Sequence, residues 1–160
     1  MATAVPFDYR QAREIAEAFR LHGARYLFIG KSGALILGFP DTTQDADLFL
    51  EKTSENGRAV VMALGALGFD LAPEEAAEIG HCKDFIQIRH GPFDLDLVFA
   101  PDGIESFAEA DQRAVEVEGI RVCNMDDIIR SKEAANRVKD RESLPRLRAF
   151  RDWLRSRPEG

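Results

Sequence analysis

The chain has 160 residues, of which 45% are hydrophobic and 31% are charged, and its formal net charge is −7. This length and balance predict one compact domain over residues 1–160 and exclude a disordered chain. No apolar stretch approaches the roughly 20 residues of a membrane-spanning helix, and the first ten residues contain no apolar signal core. Cys82 and Cys123 match neither a metal spacing nor a disulfide framework. We therefore expect a cytoplasmic protein with two free thiols.

Charge is unevenly distributed along the chain. Residues 130–157 contain ten Lys or Arg and four Asp or Glu, which leaves the rest of the chain strongly acidic. The overall acidity disfavours a general nucleic-acid-binding protein. The basic C-terminal region has two interpretations, namely solvated helix faces with salt-bridge partners or a surface that attracts phosphates. Nucleic-acid binding through this region is the less favoured alternative.

The first half of the chain is predicted to alternate between helices and strands. Amphipathic spacing indicates helices, short apolar runs indicate strands, and glycines mark the ends. The predicted elements are a helix over about 9–21, a strand over 26–29, a glycine turn over 30–33 into a short helix over 33–37, a strand over 45–50 and a helix over 54–67. The acidic segment 74–80 receives no assignment.

The second half is predicted to contain two hairpins and two helices. The predicted elements are strands over 85–89 and 93–99 with a turn at 90–92, strands over 114–117 and 120–122, a helix over about 125–136 capped by Asn124, and a last helix capped by Ser143. Because hairpins interrupt the alternation, we predict a mixed sheet in an α/β or α+β domain, not a doubly wound parallel sheet. Its core is expected over about 24–122, and C-terminal helices over about 124–157.

Asp45 and Asp47 carry the strongest chemical signal in the sequence. They flank Ala46 and precede an apolar run over 48–50, and side chains two residues apart on a strand point to the same face. Because two such carboxylates repel each other, the pair indicates a cation between them. Carboxylate oxygens suit Mg²⁺ or Mn²⁺, especially when a substrate phosphate completes the coordination. The alternative is a solvated strand or turn with two exposed aspartates.

Asp94 and Asp96 form a second pair of the same kind. They alternate with the apolar residues Phe93, Leu95 and Leu97, which are expected on the opposite face of the strand. If the two carboxylate-bearing strands are neighbours in the sheet, three or four carboxylates meet, as a two-metal site for phosphoryl transfer requires. An ordinary half-exposed hairpin is the alternative.

The glycine turn before the first pair suits phosphate. A turn that leads into a helix N-terminus presents free backbone N–H groups and the positive end of the helix dipole. Lys31 adds a positive charge at this point. Gly30 and Gly33 equally suit a role in turn formation and packing alone.

These motifs resemble the signature of the nucleotidyltransferase superfamily that includes DNA polymerase beta. The chain contains Phe28-Ile29-Gly30-Lys31 and, after thirteen intervening residues, Asp45-Ala46-Asp47-Leu48. The segments 30–50, 94–99 and 132–140 are similar, more narrowly, to minimal bacterial nucleotidyltransferase-like proteins, which are often encoded in toxin–antitoxin or phage-defence systems. The resemblance covers about residues 24–150 and implies a mixed β-sheet flanked by helices, with a C-terminal helical segment. Lys31 departs from the signature, because active members have Gly or Ser at this position.

The resemblance also implies roles for single residues. Asp45 and Asp47 match the two metal ligands, and Asp96 matches a third carboxylate that helps to activate the acceptor hydroxyl, with Asp94 as the alternative. The residues that would hold the nucleotide are Gly30, Lys31, Ser32 and Lys132. Lys132 lies one helical turn after Ile128 and is therefore expected to point inward. The motif Arg137, Lys139 and Asp140 would serve either phosphate contact or structural pairing.

The sequence thus predicts a Mg²⁺- or Mn²⁺-dependent nucleotidyltransferase that moves a nucleoside monophosphate from an NTP to a hydroxyl of a small molecule, a protein or an RNA. The alternative is a catalytically weak or inactive protein of the same fold that acts as an interaction module, such as a partner in a toxin–antitoxin or defence system. Lys31 and the small size motivate this alternative. Because so small a domain leaves little room for an acceptor site, we expect a homodimer or a protein partner.

Overall fold

The structure, a computed structural model, describes residues 6–157. Residues 1–5, which belong to the segment that was expected to lack a signal core, lie outside the described residues. Within residues 6–157 no helix combines the length and the apolar character that crossing a membrane requires.

The elements in chain order are α1 (Tyr9–Leu21), β1 (Tyr26–Phe28), α2 (Gly30–Ile36), β2 (Ala46–Leu50), α3 (Ser54–Ala66), α4 (Pro73–Gly80), β3 (Phe85–Ile88), β4 (Leu95–Val98), α5 (Phe107–Arg113), β5 (Val115–Val117), β6 (Ile120–Val122), α6 (Met125–Ala135) and α7 (Val138–Ser156).

The strands form one mixed sheet in the order β3-β4-β2-β1-β6-β5. The two predicted hairpins, β3–β4 and β5–β6, are antiparallel pairs, and β1 is antiparallel to β2. β2 and β4 are parallel neighbours, as are β1 and β6. The predicted mixed sheet is therefore confirmed. The two strands that contain Asp47 and Asp96, β2 and β4, lie side by side.

Helices cover both faces of this sheet, and alternate side chains of β2 point into the two separate cores between the sheet and the helices. Ala46, Leu48 and Leu50 point into a core shared with α1 and α3. Phe49 points to the other face, into a second core shared with α5, α6 and α7. Because Asp47 lies two residues before Phe49, its carboxylate is on the α6 and α7 side of the sheet.

Local capping explains where several helices begin. The side chain of Asp8 accepts a hydrogen bond from the backbone N–H of Gln11 (2.9 Å), which starts α1 at the predicted position. Asn124 accepts one from the N–H of Asp127 (2.8 Å), which confirms it as the cap of α6. Each contact satisfies a donor that the first turn of a helix otherwise leaves free.

Two helix starts differ from the prediction. α2 begins at Gly30 and not at Gly33, so the predicted turn is the first turn of the helix itself. α7 begins at Val138, and Ser143 is not its cap. The carboxylate of Asp140 accepts a hydrogen bond from the backbone N–H of Arg137 (3.1 Å) and so starts α7 earlier. The hydroxyl of Ser143 instead donates to backbone carbonyls inside the helix.

Two short helices were not assigned from the sequence. α4 has Pro73 in its first turn, and Glu75 reaches back to accept the N–H of Ala72 (2.9 Å). α5 is capped by Ser106, whose hydroxyl accepts the N–H of Glu109 (3.2 Å). A Ser-x-x-Glu pattern therefore marked α5, but its seven residues are too few for a clear helical period.

Candidate functional site

The predicted carboxylates meet at the first residues of β2 and β4. Asp47 and Asp96 lie opposite each other in the register of these parallel strands. Asp45 immediately precedes β2, and Asp94 immediately precedes β4. Phe93, Leu95 and Leu97 are buried on the opposite face, as expected. The register makes Asp96 the direct neighbour of Asp47, which favours Asp96 over Asp94 as the third carboxylate.

The residues of the first turn of α2 hold Asp47 in place. The buried hydroxyl of Ser32 accepts a hydrogen bond from the backbone N–H of Asp47 (2.9 Å) and donates one to the carbonyl of Ile29 (3.1 Å). Gly30 has a φ of +64°, and a Cβ atom at this position would lie 2.6 Å from Oδ2 of Asp47. Ser32 therefore fixes the backbone of Asp47, and Gly30 leaves space for its carboxylate. Contact of these two residues with phosphate stays a prediction.

Lys31, the residue that departs from the family signature, is engaged outside the carboxylate group. Its amine lies 3.2 Å from Oδ2 of Asp41. Arg146 of α7 shares the same oxygen, also at 3.2 Å. The side chain thus ties α2 to the loop before β2, and phosphate contact by Lys31 stays a prediction.

Burial and neighbouring charges raise the pKa of two of the clustered carboxylates, Asp45 and Asp47. Burial raises the pKa of Asp47 well above its usual range, and the nearby charge of Asp96 raises it further. Lys132 opposes this shift with its positive charge. Burial and the charge of Asp96 likewise raise the pKa of Asp45. Ionising these carboxylates is therefore costly in free energy, and a bound cation would offset that cost.

Lys132 points inward, as predicted. Its side chain is only 12% exposed, and its amine lies 3.5 Å from Oδ1 of Asp140. Burial lowers the pKa of this amine, while the charges of Asp140 and Asp47 act in the opposite direction. Arg137 contacts the second oxygen of Asp140 at 2.7 Å. Of the two interpretations of this motif, structural pairing is thus directly visible for Arg137 and Asp140.

Arg89 is a member of the site that the sequence analysis missed. One guanidinium nitrogen, Nη2, lies 2.9 Å from Oδ1 of Asp96 and 3.3 Å from Oδ2 of Asp45. The other, Nη1, donates to the carbonyl of Leu95 (3.3 Å). Gln87 faces Asp96 across the β3–β4 pair, so Arg89, two residues later, falls on the same side. The register of the predicted hairpin was the signal that could have found it.

The donor set suits a hard divalent cation. Asp45, Asp47 and Asp96 supply carboxylate oxygens, which Mg²⁺ and Mn²⁺ prefer. Oδ1 of Asp96 is buried and accepts no hydrogen bond of good geometry, although the guanidinium of Arg89 lies 2.9 Å away. Across residues 6–157, no group of three or more His, Cys, Asp or Glu is positioned so that it could hold a metal ion with the side chains as they stand. The three carboxylates thus fit a cation by the chemistry of their oxygens, and Arg89 lies between two of them, Asp45 and Asp96.

Comparison with known proteins is informative at the level of structure. Neither a protein-family model nor a curated protein matches this sequence. The structure is similar to that of a Thermotoga maritima protein described as a "putative nucleotidyltransferase", with a TM-score of 0.56, 15% sequence identity and 92% of each chain covered. A similarity at this identity concerns the fold alone. Its agreement with the mixed sheet and the flanking helices shows that the chain has a nucleotidyltransferase-like fold.

Proposed function

We propose that this protein is a divalent-cation-dependent nucleotidyltransferase, which moves a nucleoside monophosphate from an NTP to a hydroxyl group. The observation that carries the proposal is the pairing of Asp47 with Asp96 on parallel strands, with Asp45 beside them. Burial, and after it the charge of Asp96, raises the pKa of Asp47 well above its usual range, so the ionised carboxylate is unfavourable without added positive charge. The nucleotidyltransferase-like fold supports the same general activity.

Three carboxylates would hold the cation. Asp45, Asp47 and Asp96 are the proposed ligands of Mg²⁺ or Mn²⁺, which when bound supplies the positive charge that neutralises a triphosphate. Ser32 fixes the backbone of Asp47 from behind, and Gly30 leaves the space that its carboxylate occupies. Asp96 is the proposed acceptor of the proton of the attacking hydroxyl.

The phosphate-binding residues are proposed from charge and position. Lys132 is largely buried and directed at Asp140, and its charge also acts on Asp47. A buried amine next to the carboxylates is suited to a phosphate that shares the cation with them. Gly30, Lys31 and Ser32 are the further nucleotide-binding residues implied by the resemblance. Catalysis in such a site rests on positioning and electrostatic stabilisation, with no covalent intermediate on the protein.

Calorimetric titration tests the proposal directly. The protein is titrated with each NTP in the presence of Mg²⁺, together with the double variant Asp45→Ala/Asp47→Ala. We expect binding of at least one NTP by the wild type and loss of this binding in the double variant. Asp84→Ala is the matched control, because Asp84 is exposed and pairs only with Lys52 among the contacts the structure describes for it.

Two results would contradict the proposal, namely no NTP binding by the wild type or unchanged binding by Asp45→Ala/Asp47→Ala. Either result would favour the alternative, a catalytically weak or inactive protein of the same fold that acts as an interaction module. The acceptor, whether a small molecule, a protein or an RNA, stays a prediction. A homodimer, a protein partner in a toxin–antitoxin or defence system, and a cytoplasmic location also stay predictions.

A further inference from the structure

Arg89 places a positive charge inside the group of carboxylates. Its Nη2 nitrogen lies between Oδ1 of Asp96 and Oδ2 of Asp45, at 2.9 and 3.3 Å. These two residues are among the proposed cation ligands. An ion that binds both oxygens requires the space and the negative charge that the guanidinium now uses. The two cations therefore compete for the same carboxylates.

The backbone of Arg89 is held on both sides. On the N-terminal side, Ile88 pairs with Leu95 at the end of β3. On the C-terminal side, the imidazole of His90 lies 2.8 Å from the carboxylate of Glu75, on α4. Strand pairing thus places Arg89 at the rim of the site, and the exposed contact of His90 with Glu75 adds only weakly to this.

The side chain reaches the carboxylates from a partly exposed position, where two ion pairs and the hydrogen bond to the carbonyl of Leu95 hold it. It is 40% exposed, compared with 14% for Asp96. Its contact with Oδ1 of Asp96 is an ion pair without good hydrogen-bond geometry, since that oxygen accepts no hydrogen bond. Ion pairs of partly exposed side chains are weak, because solvent screens them. A permanently charged end group whose ion pairs are weakened by solvent is suited to exchange with another cation.

We propose that Arg89 is a positioning residue that competes with the divalent cation for Asp45 and Asp96 and thereby sets the affinity of the empty site for the ion. This inference rests on the proposed function. Without nucleotide, the guanidinium neutralises the carboxylates and keeps cation affinity low. When an NTP is present, its phosphates supply Arg89 with another partner and bring the cation additional ligands. Cation binding is thereby coupled to nucleotide binding, and by linkage each strengthens the other.

The test measures binding of Mn²⁺ alone, by calorimetry, to the full chain without nucleotide. The variants are Arg89→Met, which removes the charge, and Lys139→Met as a matched control. Lys139 is exposed and its charge acts on Asp45, as that of Arg89 does, but no ion pair joins them within the described residues. We expect Arg89→Met to bind Mn²⁺ about tenfold more tightly than the wild type, as loss of a close competing charge at a half-exposed site predicts. Lys139→Met should stay within about threefold.

A second variant and a second measurement cover the case in which Arg89→Met folds poorly. Arg89→Lys keeps the charge but not the planar fork, so its affinity for Mn²⁺ should lie between those of the wild type and Arg89→Met. Thermal unfolding should show a larger increase in melting temperature on adding Mn²⁺ for Arg89→Met than for the wild type. In the presence of EDTA, Arg89→Met should melt below the wild type, because its carboxylates repel each other without compensation.

The outcomes separate this inference from the proposed function. If neither the wild type nor Arg89→Met binds Mn²⁺, both the cation site and the role of Arg89 are overturned. If both bind it with the same affinity, or Arg89→Met binds it more weakly, the cation site stands and the role of Arg89 is overturned. An equal gain for Arg89→Met and Lys139→Met would also overturn it, because general charge would then explain the effect.

Discussion

Asp47 and Asp140 are two carboxylates close to Lys132 with opposite surroundings. Asp140 is fully buried and accepts hydrogen bonds from the backbone N–H (3.1 Å) and Nε (2.7 Å) of Arg137. Although burial by itself would raise the pKa of Asp140, these bonds and the charge of Lys132 hold it below its usual value. Asp47 faces another carboxylate, Asp96, and its pKa is well above its usual range.

This difference distinguishes a structural carboxylate from a candidate functional one. Asp140 starts α7 and neutralises two cations, so its charge stabilises the fold. The charge of Asp47 opposes folding in the absence of a cation, because burial and repulsion both disfavour it. Natural sites retain such unfavourable groups when function requires them. Substitutions at the two positions should therefore have opposite effects on stability.

The largest effect is expected for Asp140→Ala. The substitution removes the acceptor at the start of α7 and leaves the buried amine of Lys132 without its partner. The free energy of unfolding should fall by about 3 kcal/mol, which urea denaturation measures. Asp152→Ala is the control on the same helix, because its side chain is 65% exposed, and it should change stability by less than about 0.5 kcal/mol. A loss for Asp140→Ala no greater than that of the control would contradict the structural role.

A smaller effect of opposite sign is expected for Asp47→Asn. The amide is similar in shape and carries no charge, and the hydrogen bond that the backbone N–H of Asp47 donates to Ser32 does not involve the substituted side chain. Near neutral pH and without divalent cation, the free energy of unfolding should rise by about 1 kcal/mol, measured by urea denaturation in EDTA. Binding of Mg²⁺ with NTP should be lost at the same time. A clear loss of stability in Asp47→Asn would break the comparison with Asp140.

The smallest and most specific effect concerns pH. The folded-state pKa of Asp47 is raised above the ordinary value of 3.8. The stability that the protonated carboxyl contributes is therefore fully present below pH 3.8 and is lost as pH rises through the folded-state pKa. The advantage of Asp47→Asn should therefore shrink as pH falls from 7 towards about 4. The pKa of Asp140 is lowered, so its contribution is present above 3.8 and is lost as pH falls further.

Urea denaturation of Asp47→Asn, Asp140→Asn and the wild type between pH 7 and about pH 3 measures the two trends. The deficit of Asp140→Asn should stay constant down to about pH 4 and decrease only below it. Parallel curves for Asp47→Asn and the wild type would show that the charge of Asp47 is not destabilising.

The elements that were predicted correctly have strong local patterns. The amphipathic period of α1, the apolar runs of β1 and β2, and the cap of α6 at Asn124 each lie within one segment of sequence. The missed elements depend on contacts that local patterns do not reveal. α4 and α5 are short, and the start of α7 depends on Asp140 reaching back to Arg137.

The candidate site shows the same division. Alternation along a strand was enough to place Asp45 and Asp47 on one face, and helical spacing was enough to direct Lys132 inward. Whether β2 and β4 are neighbours is decided by strand pairing between distant segments, and the sequence left this condition open. Arg89 was missed for the same reason, because it reaches the site across the β3–β4 register.

The sequence by itself determined the carboxylate pairs, the glycine before them and the mixed order of strands and helices, because these depend on neighbours along the chain. Only the tertiary structure decided that Asp47 faces Asp96, that Ser32 fixes the backbone of Asp47, and that Lys31 pairs with Asp41. It also decided that Arg89 lies between Asp45 and Asp96. Charges interact through space, so the balance of charge at a site is set by which segments fold together and not by their order in the chain.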